Sequence, residues 1–448
     1  MGETCVNQGK DRTSNYKENS LTLVGAVALG TGVMIGAGIF ALTGQMAEMA
    51  GALFPFAFLS AAVVVAFSAY SYVKLSNAYP SAGGIAMYLN KAYGKTLPTA
   101  FFSLLMYFSM VIAQSFLART FGAYTLQLFD VSDTGLWIPI LGVALIVIAF
   151  LLNLSGNRII EVVASALGVV KIGGIILFGL VGIVVADSTD VTFTVWKSDA
   201  GVVGFIGATA LGILAFKGFT TITNSGSELR NPHRNVGLAI IISIALCVVI
   251  YSLVGWVVSS NLSLEEIIKT RNYSLAAAAR PVTGDLGLWF TVALAMIATA
   301  GGIIASIFAV SRMLAMLTEM KLIPHSHLGM PGSIRQHTLV YTVVLGLMLT
   351  AFFDITRIAA LGIVFYLIMD LAVHWGVLRH LREAVKAQAG ILVTAIILDL
   401  VVLAGFVWIK LKTDSLVLVV AGTVMLIILL TEFLFLRRNP IEPGEHDH

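Results

Sequence analysis

From residue 21 onward the chain is a succession of apolar runs, most of them long enough to cross a bilayer. A helix rises about 1.5 Å per residue and a hydrocarbon core is about 30 Å thick, so a spanning helix needs roughly twenty apolar residues. Runs bounded by charged or turn-forming residues fall near 21–46, 50–73, 98–128, 136–155, 159–186, 201–228, 236–259, 285–318, 338–353, 355–378, 390–410 and 415–436. The expected fold is therefore an all-α membrane protein with about twelve transmembrane helices in a lipid bilayer. Composition agrees: 58% of the residues are apolar and 11% charged, against about a quarter charged in soluble domains.

The net charge of +3 is small and no basic run is interleaved with aromatics, so nucleic acid is not an expected partner. Cys5 and Cys247 are too few and too far apart for a disulfide framework or a thiolate metal site. Residues 1–20 are polar, without the apolar core of a signal peptide. Basic residues close to spanning helices resist translocation. Lys10, Arg12, Lys17, Lys74, Lys91, Lys95, Arg158, Arg230, Arg234, Arg312, Lys321, Arg335, Arg379, Arg382, Lys386, Arg437 and Arg438 then collect on one side, expected to be cytoplasmic with both termini. The sparser opposite set is Lys197, Lys269, Arg271, Arg280, Arg357, Lys410 and Lys412.

Two spans stand out. The first contains Gly30, Gly32, Gly36 and Gly38, and the sixth carries Lys217-Gly218 followed by Thr220, Thr221, Thr223, Asn224 and Ser225. Each glycine weakens a helix by roughly 1 kcal/mol against alanine, so clusters lower the cost of unwinding. Small residues also let membrane helices pack closely, and that reading stays open for the glycines. It does not account for a lysine beside the glycine of the sixth span. Interrupted helices in corresponding positions of two halves point to an inverted-repeat transporter and its binding site. The layout expected is a tail at 1–20, five-helix repeats at 21–186 and, inverted, 187–378, two extra helices within 379–437 and a tail at 438–448.

Four motifs carry a resemblance. They are Ile35-Gly36-Ala37-Gly38-Ile39-Phe40, Tyr79-Pro80-Ser81-Ala82-Gly83-Gly84, Glu228-Leu229-Arg230-Asn231-Pro232-His233-Arg234-Asn235, and Ser311-Arg312-Met313 leading to Leu322-Ile323-Pro324. In this order and topology the chain resembles the amino acid-polyamine-organocation superfamily over nearly its whole length. The resemblance implies a 5+5 inverted repeat with helices one and six discontinuous. It also implies secondary transport of amino acids or related amines, by proton coupling or exchange, without a cofactor. By the same resemblance, N–H groups around Ile35, Gly36, Ala37 and Gly38 receive a substrate carboxylate. Carbonyls near Met34, Ile213 and Phe216 receive its ammonium. An unwound turn offers both kinds of free backbone group.

Lys171, deep in the fifth span, costs roughly 2.5–3.5 kcal/mol at bilayer centre on insertion scales. It looks like the lysine that replaces a sodium ion in sodium-independent relatives and tethers helix one; a static anchor is the alternative. Leu214 stands where the family usually has an aromatic gate, a role that can pass to Phe216 or Phe219. Lys217 departs from the family's small or apolar residue, and either faces the substrate beside Gly218 or snorkels to the cytoplasm. Thr220 sits where cation carriers place an acid, so neutral substrates are expected and acidic ones are possible. Arg119 is expected to snorkel to the outer interface. His233, His325 and His374 read as isolated near helix ends or in loops, without the clustering a metal requires. No nucleophile, base and metal group converge, so an enzyme is not expected; a sensor on a transporter fold is the other reading.

Overall fold

The computed structural model describes residues 21–81, 83–129, 134–154, 157–185, 201–324 and 333–438. The expectations for the two tails and for His325 lie outside the described residues. The helices are α1 (Leu23–Ala50), α2 (Phe54–Ala78), α3 (Gly84–Tyr93), α4 (Leu97–Thr125), α5 (Thr134–Leu154) and α6 (Asn157–Val185). After them come α7 (Gly201–Phe216), α8 (Thr220–Thr223), α9 (Pro232–Asn261), α10 (Leu264–Lys269) and α11 (Ser274–Glu319). The chain closes with α12 (Ile334–Phe352), α13 (Ile355–Gly376), α14 (Ala389–Thr413) and α15 (Ser415–Arg438). Among the described residues nine stretches are long and apolar enough to cross a membrane, with shorter apolar helices at Leu23–Gly36, Val170–Gly182 and Gln336–Phe352. The protein is an all-helical, multi-pass membrane protein.

Burial separates an inner layer from an outer one. Within the most apolar eighteen residues, 83% are buried in the segment containing α13 and 78% in that containing α4, against 22% in α5 and α15. The outer helices turn Leu136, Val147, Leu411, Leu426 and Leu430 outward, as lipid-facing surfaces do. Lipid tails are as apolar as leucine, so the inner helices are held by close packing and by hydrogen bonds between helices. Ser109 of α4 donates to the Gly362 carbonyl of α13 at 3.0 Å, and Ser115 to the Gly346 carbonyl of α12 at 3.0 Å.

Local chemistry accounts for the connections. Asn231 adopts a left-handed conformation (φ 51°) that asparagine tolerates, and Pro232 then opens α9 where its missing N–H costs nothing. Gly84 (φ +50°) turns the chain into α3 against Asn224 and Thr223, which brings the Tyr79–Gly84 motif onto the end of helix six. Leu21 pairs with the same segment, its N–H donating to Glu228 at 2.9 Å and its carbonyl accepting from Arg230 at 3.0 Å. Within α11 the eighth span starts near 285 as expected, because Thr283 and Gly284 (φ 65°) leave helical dihedrals and separate it from a short helix that begins at Ser274.

The expected break in helix one is not present, and α1 is wound continuously from Leu23 to Ala50. The physical reason lies in what the glycines touch. A Cβ on Gly38 would stand 2.5 Å from the Ala215 Cβ of α7, and one on Gly36 would stand 3.2 Å from the Ala298 carbonyl of α11. Here the glycines give close approach between helices, and a wound helix satisfies its own backbone groups in apolar surroundings. Helix six is not unwound either, since Phe216, Phe219 and Thr220 keep right-handed helical dihedrals. After Phe216 the chain tightens into a 3-10 turn, Lys217–Phe219, before α8.

Candidate functional site

The turn Lys217–Phe219 rests directly on helix one, because a Cβ on Gly218 would come within 2.7 Å of the Met34 backbone nitrogen. Beside it lies a cavity walled by Val33 and Leu42 of α1, Met110 and Phe116 of α4, Leu214, Lys217 and Thr220 of helix six, Ser306 of α11 and Ala359 of α13. Its volume is about 60 Å³, against roughly 10–15 Å³ for one water on the same measure. It suits a molecule of a few heavy atoms. Polar groups reach this mostly apolar wall from Lys217, Thr220, Thr221 and Ser306.

Lys217 is buried (5% exposed) and does not snorkel. Its Nζ donates to the Ser109 carbonyl at 2.9 Å and to Ser109 Oγ at 2.6 Å, and lies 5.5 Å from the centroid of the Tyr366 ring. Helix six is thereby tied to α4 and α13 across the cavity wall. An unpaired ammonium in such a site is prohibitively costly, which is why the side chain turns inward to three oxygen or π partners. Thr220 Oγ1 donates to the Lys217 carbonyl at 2.9 Å.

Of the residues expected at the site, Leu214, Lys217, Gly218 and Thr220 line the cavity. Met34, Ile35, Ile213 and Phe216 are buried in helix packing instead, and the side chain of Ala37 lies outside the described residues. The two aromatics expected as alternative gates pack into the core: Phe216 on Tyr251 with centroids 4.8 Å apart, and Phe219 on Tyr72 at 5.3 Å. Both rings are drawn into the core by these contacts, which leaves Leu214 on the wall. Lys171 reaches helix one, its Nζ donating to the Gly32 carbonyl, one turn before Gly36.

Residues 21–431 match the profile of the family described as amino acid permease. The chain belongs to that family. As a member of the amino acid-polyamine-organocation superfamily the permease is a transporter rather than an enzyme. It is 29% identical over 397 residues to the inner membrane transport protein YbaT of Escherichia coli, covering 88% of this chain and 91% of that one. It is 27% identical to the cationic amino acid transporter 3, mitochondrial, of Arabidopsis thaliana (56% of this chain, 44% of that one). It is 26% identical to the methylthioribose transporter of Bacillus subtilis (57% and 58%).

One expectation gains partners and another is corrected in the permease. Arg119 lies at the end of a span: its Nε donates to the Thr350 carbonyl at 2.8 Å and its NH2 to that of Ala351 at 3.2 Å, so it caps the last turn of α12, whose carbonyls lack helical partners. His374 is neither isolated nor in a loop. It is fully buried in α13, with Nε2 3.6 Å from Asp370 Oδ1 and 3.3 Å from Asp399 Oδ2. The signal for this cluster was available in part, since Asp370 and His374 are four apart and share a helix face, and acids inside spans are functional candidates by default. Ser109 and Tyr366, the partners of Lys217, had no such signal.

Proposed function

We propose that this permease is a secondary active transporter of neutral amino acids, acidic ones remaining possible, that works by alternating access and without sodium. The observation carrying the reading is the cavity at the 3-10 turn of helix six, where Gly218 meets helix one and the amine of Lys217 joins the wall. When protonated, that amine opposes a cationic side chain and favours a carboxylate. In this reading residues 21–186 and 187–378 form two inverted five-helix repeats led by α1 and by α7 with α8, α14 and α15 stand outside them, and both termini are cytoplasmic.

Helix one is the element that opens. Gly36, Ala37 and Gly38 unwind during the cycle and free N–H groups for the substrate carboxylate, while carbonyls near Met34, Ile213 and Phe216 take the ammonium. Lys171, held on the Gly32 carbonyl, fills the place a sodium ion would occupy and releases or holds helix one as it changes protonation.

A second reading, a carrier for cationic amino acids or for another organic solute, has the names of two relatives in its favour. A thermal-shift screen of purified protein against the common amino acids, polyamines and methylthioribose separates the two, because a ligand of the folded state raises stability by mass action. Stabilisation by neutral amino acids and not by arginine supports the first reading. Stabilisation by arginine, polyamines or methylthioribose alone replaces it with the second.

A further inference from the structure

Three ionisable side chains that this reading leaves idle meet where α2, α13 and α14 pack together. Asp370 and His374 stand one turn apart on α13 and Asp399 comes from α14; their exposures are 0%, 0% and 1%. Asp370 is well served by α2, accepting from the Ser68 hydroxyl at 2.7 Å and the Tyr72 hydroxyl at 2.5 Å. His374 Nδ1 is hydrogen-bonded to Ser71 Oγ of the same helix at 2.8 Å. Among the described residues, neither oxygen of Asp399 nor Nε2 of His374 has a hydrogen-bond partner, although the two face each other at 3.3 Å.

We propose that Asp370, His374 and Asp399 form a proton-binding centre of the permease, and that the Asp399–His374 pair takes up and releases a proton as the transporter cycles. The proposal rests on the transporter reading above and adds a titrating site remote from Lys171.

The argument is one of charge and donors. An imidazolium at His374 balances one carboxylate, and the second is then surplus. Two like charges a few ångströms apart and away from water do not both stay ionised. Asp370, with two hydroxyl donors, is built to keep its charge. Asp399 has no hydroxyl donor and faces only Nε2 of His374 at 3.3 Å, and a buried carboxylate so poorly solvated is strongly disfavoured. A proton on Asp399 Oδ1 removes that charge and leaves Oδ2 to accept from the imidazolium Nε2–H. The cluster becomes one unit less negative, and no other atom changes hands.

Other ionisable groups nearby are few or engaged elsewhere. Tyr72 and Tyr366 belong to the same neighbourhood, and Lys217 reaches it over the Tyr366 ring. Lys74 of α2 lies over Tyr70, Tyr88 of α3 is bonded to Ser76, Tyr93 to the Ala372 carbonyl, and Tyr107 of α4 to Thr342. Arg119 of α4 caps α12, α7 carries no ionisable side chain, and Glu432 of α15 makes no ion pair with the cluster among the described residues. A metal ion is the other conceivable occupant. The hydroxyl donors already on both Asp370 oxygens speak for a proton.

Two contacts join the centre to the cavity. Tyr72, held by Asp370, stands edge-on to Phe219 in the turn of helix six. Tyr366, one turn before Asp370, lies under Lys217. A change of charge at Asp399 and His374 alters the hold of Asp370 on Tyr72, and with it the packing of the turn that borders the cavity.

The test uses the full chain in proteoliposomes. Asp399→Asn has the charge of the protonated form, so counterflow, which needs no net proton movement, is expected to persist while accumulation driven by an inward proton gradient is lost. Accumulation equal to wild type in Asp399→Asn overturns the proposal. If that variant does not fold, infrared spectra of the wild type with carboxyl-labelled aspartate read the site directly. A label-sensitive protonated carboxyl band persisting at neutral pH is expected, and its absence overturns the assignment. A stoichiometric metal ion that survives chelation and disappears in His374→Gln would also overturn it. Failure of the transporter reading is distinct: wild type would then show no counterflow with any amino acid, whatever the infrared result.

Discussion

Replacing Lys217 with methionine removes the amine from the cavity wall while keeping an unbranched side chain one atom shorter. The fold should tolerate the change. Ser109 keeps its hydroxyl donation to the Gly362 carbonyl at 3.0 Å, and only acceptor capacity toward Nζ is lost, a cost of about 1 kcal/mol. The effect on ligand charge is larger. A guanidinium or ammonium carried about 6 Å from Nζ is opposed by about 3 kcal/mol at an effective dielectric near 20, roughly a hundredfold in affinity. Competition against labelled alanine by unlabelled alanine, arginine and glutamate, in wild type and Lys217→Met, reads this directly. Arginine should compete poorly in wild type and improve by about two orders of magnitude in the variant, with alanine little changed and glutamate weakened. Arginine competing equally well in both proteins would refute the reasoning, because Lys217 would then not face the ligand.

Gly38→Leu should insert into the membrane but lose transport, since its Cβ would stand 2.5 Å from Ala215, an overpacking worth about 1–3 kcal/mol; normal substrate affinity would remove Gly38 from the site. Lys171→Ala should abolish or uncouple uptake, and wild-type uptake should be indifferent to sodium. Sodium-stimulated uptake would end the idea that the ammonium replaces the ion. Arg119→Met should lower thermal stability by about 1–2 kcal/mol through loss of the cap on α12, leaving substrate affinity unchanged. A large fall in affinity would instead bring Arg119 into the substrate path.

What the sequence made legible was local. The Asn231-Pro232 junction, the glycine at 84 and the apolar spans follow from the conformational limits of single residues and from the thickness of lipid. Glycine at 36 and 38 says only that no side chain fits, which serves a wound helix packed on Ala215 and Ala298 as well as an unwound one. Lys217 announced that it needed partners, but Ser109 lies 108 positions away with no pattern linking the two. His374 shows the reverse failure. Its partner Asp370 was readable at the helical repeat, whereas Asp399 joins them only because α14 packs on α13.

The central claim is that the cavity beside the Lys217–Phe219 turn is the substrate site of an amino-acid carrier. Counterflow of labelled neutral amino acids in proteoliposomes, with wild type and with Thr220→Trp, tests it most directly. Thr220 is buried on the cavity wall, so an indole there should take the space the substrate needs, at an overpacking cost of about 1–3 kcal/mol. The account predicts saturable counterflow in wild type and none in Thr220→Trp, with the variant correctly inserted. Counterflow by Thr220→Trp at the wild-type rate would contradict it.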